Sequence, residues 1–179
     1  MTDVKNTADT DVAQANQQQG TQRLTGEQVI RVLHPAFDNQ IINYGAYNLV
    51  YATGSATYRN PDIAALQEDH QECFLVGYQD SPDEVIIAPI HMPEVTPAGA
   101  ATTIDNTNAL HAHLTNDNLT IMLESINGSR FRLTLLDKPE ITTHAGTGTI
   151  DQTLDVQDFR TFVTTIWPVL CLLYTSDAA

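Results

Sequence analysis

Leu119–Leu136 reads LTIMLESINGSRFRLTLL, two alternating apolar runs on either side of Asn127-Gly128. An Asn-Gly pair in that setting is a strong short-range hairpin signal. Two registers compete. A two-residue turn pairs Ile126 with Ser129, and it splits the apolar residues, with Leu119, Ile121 and Leu123 on one face and Phe131, Leu133 and Leu135 on the other. A three-residue loop, Ile126-Asn127-Gly128, sets Leu123 opposite Phe131, Ile121 opposite Leu133 and Leu119 opposite Leu135, all on one face. The polar face then pairs Thr120 with Thr134, Met122 with Arg132 and Glu124 with Arg130. Such cross-strand pairs are worth about 0.2–1 kcal/mol each, whereas burying a large apolar side chain is worth about 1.5–3 kcal/mol. Burial decides, and the three-residue loop is expected, with Gly128 in the left-handed position of a type I turn with a G1 bulge.

Upstream, Cys73–Tyr78 and Val85–Ile90 flank Asp80-Ser81-Pro82-Asp83, a second hairpin. Pro82 and Asp83 suit the second and third positions of a type I turn. Both arms are apolar on both faces, so the pair belongs in the middle of a sheet covered on each side. Pro89 places itself at a strand end or an open edge. Tyr47, Leu49 and Tyr51 alternate with Asn48, Val50 and Ala52 in a further strand, which Gly54-Ser55 breaks or bulges. Leu110, Ala112 and Leu114 alternate with His111 and His113 in another, joined to the opening hairpin by Asn116-Asp117-Asn118. Met92–Asn108 reads as loop, and Gly148–Leu154 as a possible edge strand.

Helices bracket these strands. Thr25 and Gln28 form a capping box ahead of Val29, Ile30, Val32 and Leu33, with Pro35 expected to end the helix. A turn or two is expected after Asn60-Pro61-Asp62, followed by a solvated connection over Glu68–Glu72. Near the end, Asp155 is expected to cap a helix whose Val156, Phe159, Val163, Ile166 and Leu170 recur at helical spacing, until Pro168 kinks or stops it. Its Phe159, Val163 and Ile166 should lie on Ile121, Leu123, Phe131 and Leu133.

The chain's 179 residues suit one domain, taken as 24–170. Met1 to about Arg23 is too poor in large apolar side chains to offset the entropy of ordering, and reads as a disordered leader. Cys171–Ala179, CLLYTSDAA, resembles the translated read-through of a sequencing adapter, which implies a natural chain that continued beyond about Leu170. A net charge of -14, from 22 acidic and 8 basic residues, argues against nucleic acid and anionic membranes as partners. No basic start precedes an apolar run and no stretch approaches a membrane span. With only Cys73 and Cys171 there is no disulfide framework, so a soluble cytoplasmic protein is expected.

Candidate chemistry is sparse. His111 and His113 point to one face of their strand, a geometry that can hold a metal, yet two ligands are too few and exposed histidines are the better reading. His70-Gln71-Glu72 carries half of a zinc deaminase signature without its cysteines. Gly146-Thr147-Gly148 precedes an expected strand rather than a helix, which disfavours a phosphate cradle. Cys73, in an apolar strand, reads as an inert thiol. Tyr44, Tyr47, Tyr51, Tyr58 and Tyr78 could line a pocket but read as packing; the ligand-binding candidates are Tyr47, Tyr51, Tyr78, His111 and His113. No catalytic residue, metal site or cofactor is implied.

The order FLVGYQD, DEVIIAPI, ALHAHL, LTIMLES, RFRLTLLD and then DVQDFRTFVTTIW resembles the plan of bacterial PH-like domains over about Cys73–Trp167. That family caps a strongly bent antiparallel sheet or partly open barrel of about six or seven strands with a C-terminal helix, an α+β fold. The basic phosphoinositide-binding residues of eukaryotic relatives have no counterpart here, so that activity is not implied. The segment before Cys73 lies outside the resemblance. A non-enzymatic, protein-binding or self-associating domain is expected, acting through a sheet edge or the capping helix. The alternative is a small-molecule binder or enzyme with a Tyr/His-lined site in the mouth of the sheet.

Overall fold

The computed structural model describes residues 21–41, 46–58 and 70–166. The expected Pro61 turn, Tyr44, Trp167, Pro168 and the last nine residues lie outside them. In chain order the elements are α1 (Gly26–Asp38), β1 (Asn48–Thr57), β2 (His70–Asp80), β3 (Asp83–His91), β4 (Thr96–Pro97), β5 (Thr102–Asp105), β6 (Ala109–Leu114), β7 (Thr120–Ser125), β8 (Arg130–Thr134), β9 (Glu140–Thr143), β10 (Gly146–Thr149) and α2 (Thr153–Thr161), which continues into a π-helical turn over Phe162–Ile166.

The opening hairpin has the three-residue loop. Leu123 faces Phe131, Ile121 faces Leu133 and Glu124 faces Arg130. The Gly128 N–H donates to the Ser125 carbonyl at 2.9 Å, and Gly128 has φ 91°. Ile121, Leu123, Phe131, Leu133 and Leu135 are buried as the face argument requires. Leu119 is not, at 41 % exposed, although its carbonyl still accepts from Leu135 N–H at 2.8 Å.

All main-sheet pairings are antiparallel, in the order β4-β3-β2-β1-β8-β7-β6, with β5 also on β3. The sheet is open and has more strands than the sequence implied. Two additions, β4 and β5, lie in the Met92–Asn108 stretch expected to be loop, and they sit along the β3 edge. Ile104 of β5 is fully buried, which is what holds that short strand. Pro89 faces the gap between them, its carbonyl accepting from Ala98 N–H at 2.9 Å.

Each sheet face has its own core. Val76, Val85, Ile87, Phe131, Leu133 and Leu135 pack with Val156, Phe159, Phe162 and Val163 of α2 and its continuation. The opposite face puts Tyr51, Leu75, Ile86, Ala88 and Ile90 against Val29, Leu33 and Phe37 of α1 and Ile141 of β9. Burial on both faces is why β2 and β3 read as continuous apolar runs.

Several local expectations give way to tertiary packing. Pro35 lies inside α1, because Ala36 and Phe37 beyond it are buried and hold the last turn on. Gly54 does not break β1; it runs through at φ +157°, where a Cβ would sit 1.8 Å from the Arg132 carbonyl oxygen. At Glu68–Glu72, His70 to Glu72 already belong to β2. The turn of the β2–β3 hairpin has Ser81-Pro82 between paired Asp80 and Asp83, with a cis Ser81-Pro82 bond and proline third rather than second. The late strand is Gly146–Thr149, earlier than expected and paired with β9 in a separate two-stranded sheet. Finally, α2 starts at Thr153 rather than after Asp155, with Gln152 as its N-cap; just before it the Asp151 carboxylate accepts from both Thr153 N–H and hydroxyl.

Candidate functional site

The last strand of the sheet, β6, forms one of its edges. Thr115 N–H donates to Thr120 O, and Ile126 N–H donates to Asn108 O. Backbone groups alternate in direction along an antiparallel strand, so His111 and His113 bond inward to Glu124 and Met122, their partners in β7. The N–H and C=O of Ala112 and Leu114 therefore face away from β7. Among the described residues no strand lies on that side.

A register shift between Ala109 and His111 re-aims the start of the strand. It explains why Leu110, expected on the apolar face with Ala112 and Leu114, is 49 % exposed. At the other end Asp117 folds the turn. Its carboxylate accepts from the Thr115 hydroxyl and from Leu119 and Thr120 N–H, and these bonds, the hydroxyl first, lower its pKa to about 2.

His111 and His113 lie on the outer face of β6, both exposed, with ring centroids 4.9 Å apart. Beside His111, Glu124 takes Arg130 Nε at 2.9 Å. In the next row His113, Met122 and Arg132 follow one another across three strands. No group of three or more His, Cys, Asp or Glu among the described residues is placed to hold a metal.

The tyrosine candidates lie elsewhere. Tyr47 and Tyr51 line a cleft of about 250 Å³ between α1, β1 and the start of α2, together with His34, Leu33, Asp151 and Asp155. Tyr47 donates to Glu84 at 2.5 Å; burial and then that bond push its phenol up to about 12. Burial, followed by the hydrogen bond to the Cys73 sulfur at 3.2 Å, pushes Tyr51 up as well. Tyr78 is on the other face, its ring tilted against Phe159 with centroids 4.9 Å apart and its hydroxyl donating to the Asp155 carbonyl at 3.1 Å. Tyr58 adjoins Glu72 at a further hollow of about 440 Å³, rimmed by Pro89 and Ala98–Ala100. Burial, then the Glu72 charge, raises its pKa to about 12.

The structure thus brings Tyr47 to Tyr51 and His111 to His113, and it separates these two pairs from each other and from Tyr78. A buried residue with no sequence signal is Gln152. Its side chain accepts from Tyr51 N–H at 2.8 Å and donates to Tyr51 O and Leu136 O at 2.9 and 2.7 Å. It stands in for a neighbouring strand where β8, which pairs β1 only from Thr53 onward, has ended.

Against known proteins, no family model matches the chain, and no curated protein matches it. Among solved structures it is similar to the pleckstrin homology domain of USP37, at a TM-score of 0.36 and 10 % identity over 67 % of this chain and 98 % of that one.

Proposed function

We propose that the chain is a PH-like, non-enzymatic protein-binding domain whose docking element is the outer edge of β6. Topology supports the PH-like assignment: an open antiparallel sheet, its first strand in the middle, with the final helix packed on one face. The observation that carries the binding reading is the outward N–H and C=O of Ala112 and Leu114 beside exposed Leu110. An extended segment added there gains main-chain hydrogen bonds, with alternate side chains giving specificity. A photoreactive residue placed at Leu110 tests this in cells. Adducts are expected at that position and are lost when Ala112→Pro removes an outward donor while sparing the inner ladder. Absence of adducts, or adducts indifferent to the proline, sinks the reading.

A second reading, a small organic cation held in the Tyr47/Tyr51 cleft, draws on Asp155 beside two phenol rings. Titration with a panel of small amines would then give saturable thermal stabilisation that Asp155→Asn weakens. A flat response across the panel dismisses it.

A further inference from the structure

We propose that the β6 edge pairs with the same edge of a second copy, and that the pairing assembles a four-histidine site for a divalent transition metal such as zinc. This rests on the docking-edge reading and names the occupant.

The sequence of β6 is self-complementary. Leu110-His111-Ala112-His113-Leu114 reads the same in both directions about Ala112. Two antiparallel copies related by a twofold axis through Ala112 set Ala112 opposite its counterpart, His111 opposite the second copy's His113, and Leu110 opposite its Leu114. Isologous contacts of this kind are how closed homodimers form. The backbone directions agree with that register. Ala112 carries outward N–H and C=O, so the central pair exchanges both hydrogen bonds. The flanking histidine pairs then fall at non-hydrogen-bonded positions, where side chains approach most closely, with Cα atoms about 4.5 Å apart.

All four imidazoles share the outer face. Within one copy the rings are already 4.9 Å apart, and cross-strand neighbours have Cβ atoms about 4.5–5.5 Å apart. Tetrahedral zinc takes four nitrogen ligands at about 2.0–2.1 Å, so one ion bound among four such rings is satisfied. A single copy offers two, which agrees with the lack of any group of three ligands among the described residues. Glu124 lies across from His111 in the ladder, its carboxylate held by Arg130 Nε at 2.9 Å.

Charge favours this edge for self-contact. Each copy carries a net charge of -14, yet Ala109–Leu114 contains no carboxylate, and a divalent cation between two acidic copies offsets part of their repulsion.

The test is sedimentation velocity of the untagged full chain in chelator and in zinc, with metal stoichiometry measured on the dimer. Zinc at about 100 times its Kd should tighten dimerisation on the order of 100-fold, with one zinc per two chains. His111→Ala and His113→Ala are exposed changes that leave the fold intact; each should abolish the zinc effect. Ala112→Pro should block dimerisation while sparing both histidines. A monomer in saturating zinc, one zinc per chain, or a zinc dimer that survives either alanine variant overturns the proposal. Proline-sensitive adducts from Leu110 to other proteins, with no zinc dimer, would leave the docking edge standing and remove only the second copy and the metal.

Discussion

Gln152 makes three hydrogen bonds from a side chain that is 4 % exposed, two of them to the backbone of Tyr51 and one to Leu136. Replacing it by alanine leaves a buried N–H and two carbonyls without those partners, at about 1–3 kcal/mol for each group that water cannot reach. Gln152→Ala should therefore lower the urea midpoint strongly. Gln152→Glu should do the same, since it removes the donor and aims a carboxylate at two carbonyls; a midpoint unchanged in both variants would contradict the role. Gly77 makes a steric rather than a polar demand. A Cβ there would lie 2.2 Å from Phe37 Cζ, so Gly77→Ala should cost about 1–3 kcal/mol by overpacking, read from thermal unfolding. Neither role was legible in the sequence. A glutamine between Asp151 and Thr153 has no pattern around it, and a glycine in an apolar strand does not announce which ring will lie on it.

At the scale of elements, the β7–β8 hairpin is the one whose locally read register holds in full. The β7–β8 register follows from one turn and one buried face, both contained in 18 residues. The β6 histidines share a face for the same reason. Short elements and boundaries were not legible: β4 and β5 are too short to show alternation, and α2 begins at Thr153, two residues ahead of Asp155. The turns carry the acid sensitivity. Asp117 and Asp151 both have pKa values lowered to about 2, Asp117 by Thr115 first and Asp151 by Thr153 first. Depressed carboxylates contribute stability above their unfolded value near 3.8, and lose it as pH falls toward 2. Unfolding midpoints should drop across that window, and the drop should be shallower in Asp117→Asn. At the alkaline end the sign reverses. Tyr47 and Tyr58, raised to about 12 mainly by burial, favour the fold up to pH 10 and weaken it as pH climbs from 10 to about 12. Phenolate absorbance that appears well below the unfolding transition would contradict their burial.

Across the whole molecule, the sheet separates two cores that share strands but not side chains. Ile86 and Ile87 are consecutive in β3, yet the first belongs with α1 and the second with α2. Ile86→Val and Ile87→Val should each cost about 0.5–1.5 kcal/mol. Despite adjacency in sequence their effects should add within about 0.5 kcal/mol. A larger coupling energy in the double mutant would mean that the cores communicate through the strand. The apolar runs of β2 and β3 announced a sheet covered twice. The position of β1 was hidden: its resemblance-free sequence gave no hint that it sits between β2 and β8.

That central place has a consequence for how the chain is made. Thr53 meets Cys73 on one side and Thr134 on the other. At about 5–20 residues per second, roughly 4–16 s separate the emergence of β1 from that of its second partner. For about the first quarter of that interval, until Cys73 emerges, the middle strand has no partner, and for the rest it is at most half-paired, so nascent-chain aggregation should peak in lengths that end before β8 and fall once Thr134 has cleared the ribosome.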